Sequence, residues 1–155
     1  MRRNSGFTAL ELAVTMAIVG IFATVTMPSF LNWLTGHRLR GAAINLMADM
    51  EMAKIRAIRE NTFVAVKFET DKYEIFIDNG ADPGIRKTGE RLLVDRVLPA
   101  GVSIPAGELT LANPWVRFTS RGLPADLLNA ELIPLVNRAG RRDIQLNRLG
   151  RLWIQ

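Results

Sequence analysis

The sequence predicts an α+β fold in which one long N-terminal helix, transmembrane in its first half and amphipathic in its second, packs on a mainly antiparallel β-sheet head. Three observations predict it. Between residues 7 and 34 the only formal charge is Glu11. Beyond that run, Leu39, Ala43, Leu46, Met50, Ala53 and Ala57 recur at alternating spacings of four and three, the stripe of an amphipathic helix. After Asn61 the apolar period falls to two, the signature of strands with one buried face.

The bulk numbers agree. A chain of 155 residues with its first thirty or so in a membrane leaves roughly 95–120 for one modest domain. Hydrophobic residues make up 48% of the chain, as expected when a membrane helix is averaged with an ordinary head. There is no cysteine, which excludes disulfides and thiolate metal sites and leaves the head to be held by packing. The net charge of +5 is uneven: basic at Arg2 and Arg3, basic over 37–59, acidic over 60–110, and basic again from 111 onward.

Taking the elements in order, the run 7–30 is long enough to cross a hydrocarbon core of ~30 Å at ~1.5 Å per helical residue. No Ala-x-Ala cleavage pattern follows it, so it reads as a retained membrane helix and not a removed signal peptide. Arg2 and Arg3 place the N-terminus in the cytoplasm by the positive-inside rule. Glu11 has two readings: a carboxylate near enough to the headgroups to reach water, or a functional charge that needs a partner. Pro28 is expected to kink or locally melt the helix, and Trp33 is placed as an interfacial anchor.

The helix resumes with its apolar stripe against the sheet. The opposite face carries His37, Arg38, Arg40, Asn45, Asp49, Lys54, Arg56 and Arg59, with Asp49 and Glu51 as partners for Lys54. Strands follow at 62–69 and 72–78 around a turn at Thr70-Asp71, then at 91–98 with a short continuation at 102–104. Others begin at Trp115, Glu131, Asp143 and Arg151, with turns at Ala139-Gly140 and Leu149-Gly150.

The stretch Ser5-Gly6-Phe7-Thr8-Ala9-Leu10-Glu11-Leu12 resembles the class III signal of type IV pilins and pseudopilins. Further blocks are similar to the GspH/FimT subfamily: Pro28-Ser-Phe, Ala53-Lys-Ile-Arg-Ala-Ile-Arg, Val116-Arg-Phe-Thr-Ser-Arg-Gly, and Asp143-Ile-Gln-Leu-Asn-Arg-Leu-Gly-Arg-Leu. The resemblance implies a pilin-like fold divided into a leader (1–6), a transmembrane and assembly helix (7–34), the amphipathic half of the helix (35–61) and a β-rich periplasmic head (62–155). It also implies cleavage by prepilin peptidase between Gly6 and Phe7, N-methylation of Phe7, and pairing of Glu11 with the terminal amine of an adjacent subunit. The implied partners are other pilins of the filament, the inner-membrane assembly platform and membrane lipid. The implied location is the inner membrane, crossed once, with possible incorporation into a pilus or pseudopilus.

No catalytic constellation stands out. One histidine, no cysteine, scattered carboxylates and no phosphate-binding glycine loop argue for a structural subunit with no enzyme activity, cofactor or metal. The C-terminal cluster Arg138, Arg141, Arg142, Arg148 and Arg151, with Trp153 beside it, keeps two readings. Either the arginines solvate edge strands, or they bind DNA phosphates with an aromatic ready to stack. Some FimT-like minor pilins take up DNA through a C-terminal Gly-Arg-x-Arg element. Gly140-Arg141-Arg142-Asp143 and Gly150-Arg151-Leu152-Trp153 each lack its second arginine.

Overall fold

The computed structural model describes residues 8–80, 82–125, 127 and 129–155. The described chain falls into two compact units that divide between Leu34 and Thr35. The leader 1–6, with Arg2, Arg3 and Gly6, lies outside the described residues, as does Phe7.

Helix α1 spans Ala9–Glu60. Its helical run is unbroken at Pro28, so the melted turn expected there does not form. Along the first unit the large apolar side chains are exposed on every side of the helix, from Leu10 at 74% to Phe22 at 68% and Leu31 at 53%. Thr15 and Thr24 return their hydroxyls to backbone carbonyls, at 2.9 Å to Glu11 O and 2.7 Å to Ile21 O. That consumes polar groups which an apolar surrounding would leave unsatisfied. The helix ends where Asn61 turns left-handed at φ 49°, and Thr62 N bonds Ala57 O at 3.2 Å. Such a terminus satisfies the last carbonyls and releases the chain into a strand.

In the second unit, strands β1 (Phe63–Phe68), β2 (Lys72–Asp78), β3 (Leu92–Val97) and β4 (Trp115–Phe118) form a sheet in the order β3-β2-β1-β4. Strands β5 (Glu131–Asn137), β6 (Gly140–Leu146) and β7 (Leu152–Ile154) form a second sheet in chain order. All pairings are antiparallel. The sequence predicts one sheet; there are two, joined where Ser103 and Val136 exchange backbone hydrogen bonds of 3.0 and 2.9 Å. The short segment expected at 102–104 is therefore the bridge between sheets.

The predicted helix stripe is the core. Leu46, Met50, Ala53 and Ala57 are fully buried with Val64, Val66, Tyr73, Ile75, Phe118, Ile133 and Ile144. Alanines at 42, 43, 53 and 57 leave room for the sheets to come close. The odd residues of β1 face away from the helix, yet Ala65 and its partner Phe76 are also fully buried. Asp78, 1% exposed, accepts from Gly80 N at 2.8 Å and Gly84 N at 3.0 Å, and so ties the following loop over that face. Gly84, at φ 73°, lies where an added Cβ would strike the Trp115 ring.

Pro134 sits inside β5 for a readable reason. On the edge of β5 away from β6, Leu132 bonds Thr110 and Val136 bonds Ser103. Proline between them has no N–H to leave unpaired.

Candidate assembly site

At its start the helix carries a reciprocal cap. Thr8 Oγ1 accepts from Glu11 N at 3.2 Å, and the Glu11 carboxylate accepts from Thr8 N at 3.1 Å and Thr8 Oγ1 at 3.2 Å. This is a Thr-x-x-Glu capping box, with the charge favoured by the positive end of the helix dipole. Glu11 stands out in the sequence by its charge and Thr8 does not, although the Thr-x-x-Glu spacing is the signal for it.

Further along, Ile44 and Ile55 are about half exposed on α1, on the side away from the core. Ala48, Glu51, Met52, Ile55, Arg56 and Arg59 line a shallow groove there. The basic and polar residues expected on this side are exposed at His37, Arg38, Arg40, Asn45 and Arg59, and Trp33 is exposed as well. Asp49 corrects the expectation. It turns toward the sheet, where its carboxylate accepts from Tyr73 Oη at 2.7 Å and Arg96 Nε at 2.8 Å. Burial, and then the hydrogen bond to Asp49 and its charge, push the Tyr73 phenol well above its ordinary pKa. Among the described residues Lys54 forms its ion pair with Glu51, at 2.8 Å.

Lys54 has a second bond, to Gly150 O at 2.8 Å, and this joins the later sequence blocks. A Cβ on Gly150 would lie 2.6 Å from Gly122 O, and one on Gly122 would lie 2.8 Å from Ile58 Cδ1 and 3.3 Å from Lys54 Cγ. Both glycines have positive φ, at 73° and 75°. The blocks around residues 53–59, 116–122 and 143–152 thus converge on one packed junction.

The five C-terminal arginines do not form one patch. The β5–β6 turn is Arg138-Ala139, one residue earlier than expected, with Asn137 opposite Gly140. Asn137 Nδ2 donates to Thr35 O at 2.8 Å, which fixes this turn beside helix residue 35. The β6–β7 turn carries Arg148 and is tied through Gly150 to Lys54, with Arg151 next in the chain. Nineteen helical residues separate the two anchors, about 28 Å along the axis at ~1.5 Å per residue. Arg138, Arg141 and Arg142 belong to the first end, Arg148 and Arg151 to the second. Arg141 is engaged, bonding Asp143 at 2.6 Å and also Glu108, and the Asp143 hydrogen bond raises its pKa further. Among the described residues no three His, Cys, Asp or Glu side chains gather as a metal site.

Comparison with known proteins places this geometry. The profile of the family described as type II transport protein GspH matches residues 42–150. A pilin-like protein, PilA1, from Thermus thermophilus is 28% identical over 97% of both chains. The type IV major pilin protein PilA of Myxococcus xanthus is 39% identical over 46 residues, 30% of this chain and 21% of that one. Among solved structures, the type IV minor pilin FimU of Pseudomonas aeruginosa aligns with a TM-score of 0.61 at 15% identity, covering 77% of this chain and 89% of that one.

Proposed function

The chain belongs to the GspH family of minor pilins and pseudopilins, and from that premise we propose that it is made as a precursor, matured by prepilin peptidase and assembled into, or used to prime, a type IV pilus or a type II secretion pseudopilus. Cleavage falls between Gly6 and Phe7, and the new terminal Phe7 is N-methylated. The single-pass helix holds the subunit in the inner membrane, N-terminus cytoplasmic and head periplasmic, until the assembly platform incorporates it.

The observation that carries this reading is the first half of α1. Its apolar side chains are exposed all round, a surface that water does not tolerate over such a length and that needs lipid before assembly and neighbouring helices after it. The second half supports it as well, since Ile44 and Ile55 offer a further apolar face to a neighbour.

Glu11 is the docking charge. Thr8 holds its carboxylate at the first turn of the helix, the end at which the Phe7 amine of an adjacent subunit arrives. Two charges that are each costly in the membrane then offset one another only when the subunits are in register. The assembly role leads over a DNA-receptor role because the five arginines are shared between two ends of the head.

Intact-mass measurement and N-terminal sequencing of the chain recovered from membranes test this reading. A chain beginning at Phe7 and heavier by one methyl group is expected. A chain that keeps residues 1–6 in cells with active prepilin peptidase refutes it.

A further inference from the structure

We propose that Arg38, Arg40, Arg138 and Arg142 form a basic collar that binds the phosphates of anionic lipid headgroups where the chain leaves the membrane. This rests on the reading of the helix up to Leu34 as the membrane span.

The hairpin tip is fixed at that level. Asn137 donates to Thr35 O at 2.8 Å, and its own Oδ1 accepts from Ala139 N at 2.8 Å, so Arg138 stands within one side-chain length of the first helical turn of the head. Arg38 and Arg40, both exposed, rise only about 5 and 8 Å from residue 35 and point about 200° apart around the axis. Arg142 lies two residues into β6, on the side that carries Ile144 and Leu146. The four arginines, Arg142 half-buried and the others exposed, thus stand on the two elements that meet at the exit.

The charge at this level is one-sided. From residue 12 to residue 48 the chain has no Asp or Glu, and neither has the hairpin from 132 to 142. The nearest hairpin acid, Asp143, and Glu108 are both engaged by Arg141. None of the four collar arginines is in an ion pair among the described residues. Exposed Trp33, two residues before the exit, marks headgroup depth. Phosphates of the facing leaflet sit at this depth. Arg148 and Arg151, about 28 Å along the helix, lie well beyond a Debye length of ~8 Å and take no part.

The test uses the full chain reconstituted in vesicles of equal phosphatidylglycerol and phosphatidylcholine. Lipid retained after mild detergent extraction is counted by mass spectrometry. The wild-type chain is expected to enrich phosphatidylglycerol, by about fivefold per bound arginine. R38Q/R40Q/R138Q/R142Q loses that enrichment, the matching four-lysine variant keeps it, and R148Q/R151Q is unchanged; Arg2 and Arg3 are common to all. Enrichment that survives in the four-glutamine variant, or falls equally in R148Q/R151Q, overturns the collar. Duplex DNA binding at physiological salt, lost in the four-glutamine variant without any lipid preference, assigns these arginines to DNA instead. Release of the wild-type chain by alkaline carbonate overturns the membrane span along with the collar, whereas a carbonate-resistant chain without enrichment overturns the collar alone.

Discussion

Glu11 has two roles on one carboxylate, and paired substitutions separate them. As a cap it accepts hydrogen bonds from Thr8 N and Thr8 Oγ1 at 3.1 and 3.2 Å. A glutamine at this position keeps an acceptor and therefore keeps the capping box, while alanine loses it at about 1 kcal/mol. As a docking charge, Glu11 offsets an amine in low dielectric, and removing one member of such a pair costs about 3–5 kcal/mol. At ~1.4 kcal/mol per tenfold, that is a deficit of at least about a hundredfold in incorporation. The assay is complementation of a deletion strain, with the subunit quantified by immunoblot in sheared filaments and in the membrane fraction. Both Glu11→Gln and Glu11→Ala are expected in the membrane fraction at wild-type level, processed, and both at least a hundredfold depleted from filaments. Normal incorporation of Glu11→Gln beside a weakened Glu11→Ala would leave capping as the whole role and refute the docking charge.

Three further outcomes follow from the head. Gly150→Ala forces a side chain into φ 73° with its Cβ 2.6 Å from Gly122 O, and should destabilise residues 35–155 by about 2–4 kcal/mol in urea unfolding; a loss under 0.5 kcal/mol contradicts the close approach. Tyr73→Phe removes the hydroxyl from Asp49 and should cost about 1–2 kcal/mol, with Arg96 keeping the carboxylate partnered. Because the folded phenol titrates above its unfolded value of 10.0, its stabilisation is complete below pH 10 and falls by ~1.4 kcal/mol per unit above it; Tyr73→Phe should lose this part of the alkaline slope, and identical slopes in the two proteins rule the linkage out. Met50→Ala, at the fully buried centre of the helix stripe, should cost about 2–5 kcal/mol in the same denaturant titration, and a change within error would show that Met50 is not in the core.

Periodicity made most of the fold legible. The four-and-three spacing from Leu39 to Ala57 found the buried face of α1 residue by residue, because burial on a helix repeats with its turn. Period-two runs found the strands for the same reason. Periodicity says nothing about partners distant in the chain. Nearness in sequence pairs Asp49 with Lys54, whereas the groups that hold it, Tyr73 and Arg96, arrive from 24 and 47 residues away. The division into two sheets is hidden likewise, since it rests on which strands pair and not on any segment's own pattern.

The C-terminal arginines show most clearly how sequence proximity misleads. Within a hairpin, residues that are neighbours in the chain lie at opposite ends of a strand. From Arg141 to Arg148 the chain runs the length of β6, about 20 Å at ~3.3 Å per residue. A cluster on the page becomes two groups in space, one tied to Thr35 and one to Lys54. The converse holds for the three later sequence blocks. Widely spaced in the chain, they meet at Lys54, Gly122 and Gly150, where a Cβ on Gly150 would strike Gly122 O, one on Gly122 would strike the Ile58 side chain, and both glycines stand at positive φ. That junction needs those residues to hold the second sheet on the helix, whichever filament the subunit serves. The family pattern in the head is therefore a record of packing. The choices specific to this chain are to be sought where packing does not dictate the residue, at the exposed isoleucines of α1 and the arginines at its two ends.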